Sequence, residues 1–450
     1  MMKRIVAVLL ASVMTASLIG CGGTAAETPA AAPAAAEEPA AEEPAAEEPA
    51  AEAPAADASG DELTIAIWDS NQEPGLTQIV NDFTAKTGIP AKIQVTPWTE
   101  YWTMLEAGAT GGSLPDVFWM HSNEFSKYAE YDMLLDISDK ISSSSVLEMN
   151  EFPSDIVELY NYDGKQLAVP KDFDTIGLWY NKTMFDEAGV SYPDADWTWD
   201  DFADACKKVT DPSKNQYGCC IKPSNNQEGW YNTVFDMGGC IVNEDRTASG
   251  MDSDGTVKAV TFISDLAKNG YMPPYEVLAE NEANALLEAG TVAMVLQGSW
   301  MLADLCNNDY VKANCDVAVL PKDAETGRRV SIYNGLGWAI SGNTSKADAA
   351  WQLVEYLGSR EAQQKQSDLG IVISAMKGTE KNWIKAYPDF NLQAYLDMTE
   401  DMVIRPYTKH TTVWEDKNTE TLVDAWTGKR SAEDVCKELA EFMNNAIAEE

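Results

Sequence analysis

Histidine is nearly absent from this chain of 450 residues: only His121 and His410 occur. A triad with a central histidine, or a metal site built on imidazole, therefore has almost nothing to draw on. Basic residues are scarce too, 32 Lys and Arg against 72 Asp and Glu, for a formal charge of −40. Such a chain is a poor match for nucleic acid or an anionic membrane surface, which need basic patches, and is compatible with a neutral or cationic ligand. Beyond residue 19 no run of 18 apolar residues occurs, so no later membrane helix is implied. The sequence also holds no Cys-x-x-Cys, no Gly-x-Ser-x-Gly elbow, no His-Glu-x-x-His and no Gly-x-x-x-x-Gly-Lys phosphate loop. Neither a cofactor nor a metal is expected.

What the chain does have begins at its start. Lys3 and Arg4 precede a largely apolar run over residues 5–19, the arrangement of an export signal. That run is too short for a comfortable membrane span. It ends in Leu18-Ile19-Gly20-Cys21, a string that resembles the bacterial lipobox. Residues 1–20 are accordingly expected to be a signal peptide, with Cys21 the lipidated first residue of the mature protein and its attachment to the cell membrane. Residues 21–62 form a tether made almost wholly of Ala, Glu and Pro, with Glu-Glu-Pro-Ala-Ala three times in tandem over 37–51. This segment has no aromatic residue and cannot bury enough surface to offset the entropy of ordering. Its prolines and mutually repelling carboxylates favour an extended, semi-stiff chain.

The remaining 388 residues suit two lobes better than one core. Eleven carboxylates lie in the tether and two cations in the leader, which leaves −31 on this part. Seven cysteines follow Cys21: Cys206, Cys219, Cys220, Cys240, Cys306, Cys315 and Cys436. Export permits disulfides, Cys306 with Cys315 or Cys240 with Cys219 or Cys220, and buried free thiols are an equal reading. Residues 63–68 read as an apolar strand. Leu76, Ile79, Val80 and Phe83 recur at helical spacing, and Gly88-Ile89-Pro90 stops that helix. Strands are expected at 91–95 and 115–120, with a helix at 101–108 between them. This alternation predicts an α/β fold, with a parallel-type sheet covered by helices on both faces. Ligands in such sheets sit beyond the carboxyl ends of strands, where Trp68-Asp69-Ser70-Asn71 and His121-Ser122-Asn123-Glu124 fall.

Four strings, in order, carry a family resemblance. They are Phe83-Thr84-Ala85-Lys86-Thr87-Gly88-Ile89 with the strand and helix before it; Leu114-Pro115-Asp116-Val117-Phe118-Trp119 with Leu134-Leu135-Asp136-Ile137; Leu167-Ala168-Val169-Pro170 through Trp179-Tyr180-Asn181-Lys182; and Gly290-Thr291-Val292-Ala293-Met294 through Gly298-Ser299-Trp300. Val319-Leu320-Pro321 and the string from Asn334 to Ile340 fit the same pattern. Together they resemble the maltose-type (family 1) extracellular solute-binding proteins of bacterial carbohydrate ABC importers. The resemblance implies a two-lobe periplasmic-binding-protein-like fold with a hinge and a central ligand cleft. It implies one lobe of 63–171 plus about 320–373, and another of 172–319 plus about 374–450. It also implies a monomer that closes on a mono- or oligosaccharide outside the cytoplasm and delivers it to the transmembrane subunits of an ABC permease.

A sugar presents fans of hydroxyls and flat C–H faces, so its site needs carboxylates and amides together with aromatic rings. Trp300 resembles a family stacking position, and Trp230 sits among polar neighbours that favour exposure. Asp174, where the chain recrosses the hinge, resembles a family carboxylate. Asn123 and Glu124 follow the third strand, and Asp69 and Asn71 the first. Asn334 and Gly335 precede a strand that returns to the first lobe, and Arg405 comes late in the chain. Each has a bland counterpart: core packing for the tryptophans, a cap or turn for the polar residues, and an ion pair for Arg405. Trp338 and Asp116 read as structural. Two other functions compete. Polyamine binding on the same fold would suit the negative charge, and a glycosidase would need two carboxyls at a defined separation.

Overall fold

The computed structural model describes residues 62–450; the expected signal peptide and lipidated Cys21, and the expected tether as far as residue 61, lie outside the described residues. The strands used below are β1 (Leu63–Ile67), β2 (Ala91–Val95), β3 (Val117–Met120), β4 (Ala168–Pro170), β5 (Ile176–Asn181), β6 (Tyr217–Cys220), β7 (Val292–Gly298), β8 (Cys315–Ala318), β9 (Ser331–Tyr333), β10 (Gly337–Ile340) and β11 (Met402–Ile404). The helices are α1 (Glu73–Thr87), α2 (Trp98–Gly111), α3 (Ser122–Glu130), α4 (Trp199–Val209), α5 (Asp254–Lys268), α6 (Ala347–Leu357), α7 (Thr411–Trp426) and α8 (Ala432–Ala448).

Two sheets organise the chain, one in each lobe. The first has the order β2-β1-β3-β10-β4 and the second β8-β5-β7-β6. Local sequence explains the opening unit well. Helix α1 buries Leu76, Ile79, Val80 and Phe83, one stripe of a 3.6-residue period. It ends at Gly88, whose left-handed φ of 76° lets its N–H return to the Thr84 carbonyl. β1 pairs in parallel with β2 and with β3, as the alternation predicts. The sheet as a whole is mixed, because β10 arrives from the other lobe and runs antiparallel to both β3 and β4. Trp338 on β10 packs against Trp119 within that core, and Asp116 braces the sheet by accepting from Thr64, Thr344 and Lys346.

The second sheet is mixed too: β5 is antiparallel to β8 and β7, while β6 is parallel to β7. Helices α4, α5, α7 and α8 pack on it around one core that includes Phe202, Ile263, Trp414 and Leu439. A further cluster on its other side takes in Trp179, Trp383 and Tyr395. The chain rejoins the first sheet near residue 333, and not near 320, because Leu320, Val330 and Ile332 pack in the second lobe's core. Ala375 and Met376 still pack in the first lobe.

The chain passes between the cores at 171–175, 333–336 and 373–376, and these crossings are stitched together. The Lys171 N–H donates to the Leu336 carbonyl, the Phe173 N–H to that of Ile373 and the Ala375 N–H to that of Lys171. All seven described cysteines are free, six of them buried. Neither Cys306–Cys315 nor a bridge from Cys240 is formed. Cys306 and Cys315 pack as apolar groups in the cluster around Trp179, and burial pushes each thiol up to about 12. No described helix is long and apolar enough to cross a membrane.

Candidate functional site

A cavity of about 500 Å³ opens where the strand ends of both sheets meet the crossings. The loop after β1 supplies Trp68, Asp69 and Gln72, the start of α2 supplies Trp98, and the turn after β3 supplies His121 and Asn123. The crossings contribute Asp172, Phe173, Asp174, Leu336 and Val372. From the second lobe come residues 226–228, Ser224, Ser299 and Trp300 after β7, Arg405 after β11, and Glu415, Asp416 and Thr419 on α7.

The apolar part of the wall is built from perpendicular rings. Trp98 is 42% exposed, yet it is held edge-on by Trp68, Trp102 and His121 at centroid distances of 5.0, 5.3 and 5.4 Å. Trp68 in turn meets Tyr101 and Trp119 edge-on. The ring an incoming ligand would meet is thus fixed before anything binds.

The polar part rests on buried charge. Lys171 is wholly buried beneath the wall; its Nζ donates to Gln72 Oε1 at 2.9 Å and Asp172 Oδ2 at 2.5 Å and lies 4.5 Å from the Trp119 ring centroid. Gln72 passes this order on by donating from Nε2 to Asp69 Oδ2 at 2.9 Å. Asp172 Oδ1 accepts from the Leu336 N–H. On the opposite side Arg405, 4% exposed, has Nη2 2.7 Å from both oxygens of Glu415. The Tyr231 hydroxyl also donates to Glu415 Oε1, at 3.1 Å.

Asp174 Oδ1 accepts from Gln227 Nε2 at 2.6 Å and from the Asn334 N–H at 3.0 Å. Burial first, and the charge of Asp172 second, hold its carboxyl well above the ordinary range against the pull of Asn334 and Arg405. Glu228 accepts from Asn225 Nδ2 and is raised chiefly by burial. Among the described residues no other residue donates to Asp174 Oδ2 or Glu228 Oε2, which leaves both able to bond a ligand hydroxyl. His121 is partly buried, bonded through Nδ1 to Asn123 Oδ1 and through Nε2 to Asn334 Nδ2. Burial and the Arg405 charge push it down to about 3, so it is neutral at physiological pH. Nδ1 also lies 3.4 Å from the Asn123 backbone N–H, so Asn123 and Asn334 hold the ring from both of its nitrogens.

Of the residues the sequence singled out, Asp69, Asn123, Asp174, Trp300 and Arg405 are on the cavity wall. The others are not. Trp230 is 1% exposed: its ring turns into the core, where Nε1 donates to the Pro223 carbonyl at 3.0 Å, and its polar neighbours Gln227 and Glu228 take the wall instead. Asn71 bonds back to Asp69 in an exposed turn. Glu124 is not on the wall, although the charges of Asp416 and Glu415 on α7 reach its carboxyl, which burial chiefly raises. Gly335 is packed against the Asp172 backbone, and Asn334 lies behind the wall, holding His121. Trp98, Gln72, Glu228 and Glu415 are wall residues with no place among the sequence candidates, and Trp68 and His121, inside strings placed at strand ends, were not singled out as contacts. The Trp68-Asp69 string and the tryptophan after Pro97 were the available signals. Glu415 had none, since it is brought in by a helix more than 300 residues away along the chain.

Residues 78–391 match the family model described as bacterial extracellular solute-binding protein. The galactooligosaccharide-binding protein of Bacillus subtilis (strain 168) is 22% identical over 315 residues, covering 68% of this chain and 70% of that one. Among solved structures, an ABC substrate-binding protein from Listeria monocytogenes in complex with cycloalternan superposes with a TM-score of 0.79 at 25% identity, over 86% of this chain and 99% of its own. A solute-binding protein of an ABC transporter from Thermotoga lettingae TMO, bound with alpha-D-tagatose, gives 0.74 at 22% identity over 86% and 100%. These neighbours share the two-lobe fold.

Proposed function

Because the chain belongs to the bacterial extracellular solute-binding protein family, we propose that it captures a carbohydrate by closing its two lobes on the cavity and delivers it to an ABC permease. The observation that carries this reading is the pairing, in one cavity, of preset tryptophan rings with carboxylates that still have an oxygen to offer. Rings cover the C–H face of a sugar, and free carboxylate oxygens accept from its hydroxyls. In this assignment Trp68, Trp98 and Trp300 stack, Asp174, Glu228 and Asp69 accept, and Asn123 and Arg405 complete the polar wall. The protein acts as a binding component and not as an enzyme. It works outside the cytoplasm, and we assign its membrane attachment to a lipid on Cys21 followed by the tether.

The wall also has a charge preference. Six carboxyls face it, but Asp172 is paired with Lys171 and Glu415 with Arg405, and burial draws Asp174 and Glu228 toward their neutral forms, so the unpaired negative charge rests chiefly on Asp69 and Asp416. Uronates and sugar phosphates would meet this excess of like charge and are excluded. The same excess favours a second reading, a cationic solute such as a polyamine held by carboxylates and rings.

The test is thermal unfolding of the purified protein against mono- and oligosaccharides, uronates, polyamines and amino acids. A specific ligand at about 100 times its dissociation constant adds about 2.7 kcal/mol, a rise of a few degrees for a chain of this size. A rise with one class of neutral sugar, abolished in Trp300→Ala, is expected. A rise with polyamines alone would transfer the function to cationic solutes, and hydrolysis of a bound glycoside would overturn the non-enzymatic reading.

A further inference from the structure

Gly298 ends β7, two residues before the wall tryptophan Trp300. Its backbone angles, φ −77° and ψ 155°, are ordinary extended values that any residue adopts. Conformation therefore does not explain a glycine here. Space does: a Cβ built on Gly298 would overlap Cζ3, Cη2 and Cε3 of Trp300. The added atom would stand almost equally far from these three consecutive ring atoms, so it would lie over the face of the ring and not beyond its edge. Trp300 is thus seated flat on the bare Gly298 backbone, which covers one face of the indole.

The strand end cannot yield to relieve such an overlap. Gly298 is in register with Ile176 on β5, and the next residue, Ser299, donates its N–H to the Thr175 carbonyl at 3.0 Å. The Gly298 N–H is itself held by Gln297 Oε1 at 2.9 Å. The backbone beneath the ring is therefore fixed on both sides, and any side chain at 298 moves the indole instead.

We infer that Gly298 is a positioning residue for ligand stacking: its missing side chain sets how deeply the Trp300 ring sits, and hence how thick a ring the cavity accepts between Trp300 and the opposite wall. The inference deepens the carbohydrate reading and rests on it for the identity of the ligand, but not for the seating of the ring. A methyl at 298 lifts the indole into the cavity, so the ring no longer lies parallel to the C–H face it is meant to cover.

The experiment is a double-mutant cycle on the full chain, using the sugar that stabilises the wild type most. Gly298→Ala is expected to weaken binding about as much as Trp300→Ala, on the order of tenfold, which is the scale of one lost stacking contact. The double variant should bind no more weakly than either single one, since both changes remove the same contact. Crystal structures of unliganded wild type and Gly298→Ala should show the indole displaced with β7 in place. Wild-type affinity in Gly298→Ala, losses that add in the double variant, or an unmoved ring would each overturn the inference. Should Gly298→Ala fail to fold while the double variant folds, overlap with the ring is still identified as the cause; failure of both would refute it. If no sugar stabilises the wild type, the carbohydrate reading falls, and the two crystal structures alone decide the role of Gly298.

Discussion

Lys171 shows how much of the site rests on one side chain that no ligand touches. It neutralises Asp172, aligns Gln72 and through it Asp69, and caps the Trp119 ring, all without solvent. Lys171→Met would leave Asp172 buried and uncompensated. A loss of about 3–5 kcal/mol in urea unfolding is expected, as for other broken buried pairs; a loss below about 1 kcal/mol would mean that the pair is not a structural unit. Sequence reasoning reached Asp69, Asn123 and Asp174 because residues after strand ends and at crossings are placed by topology. It put Trp230 on the wall because its neighbours are polar. A loop with polar residues can still turn one ring inward, and only the fold shows which. For Arg405 the sequence allows an ion pair or a ligand contact; Nη2 makes the pair with Glu415, while Nε and Nη1 have no protein partner among the described residues.

At the scale of elements, local signals were sufficient wherever a segment finds its partner nearby. The stripe of α1, its glycine stop and the β1–β2 pairing were all legible. The antiparallel entry of β10 beside β3 was not, because that pairing joins residues more than 200 positions apart and has no periodic signature of its own. Helix α4 offers a test of how much a local device contributes. Thr198 and Asp201 form a reciprocal capping box, each side chain bonded to the other's backbone N–H. Thr198→Ala should cost about 1 kcal/mol, measured by urea unfolding. No change would mean that packing of Trp199 and Phe202 alone holds the start of that helix.

Over the whole molecule, burial raises several carboxyls at once: Asp174, Glu228, Asp236 and Glu415. A raised folded pKa means the folded state binds protons more tightly than the unfolded one. Stability from these groups is full below the ordinary carboxylate range and is lost as pH rises through the folded values. The charge of −31 on the folded part acts in the same direction. Unfolding free energy should therefore fall from pH 5 to pH 8, by at most about 1.4 kcal/mol per pH unit for each group titrating. Asp236→Asn should flatten that slope, and a profile that rises over the range would contradict this account. The three stitched crossings carry a different consequence, for descent. Each lobe is assembled from separated stretches of the gene, so exchange of one contiguous block between relatives cannot transplant a lobe intact. Divergence in what such a chain holds must then proceed chiefly by point changes on facing walls, while the crossings stay as they are.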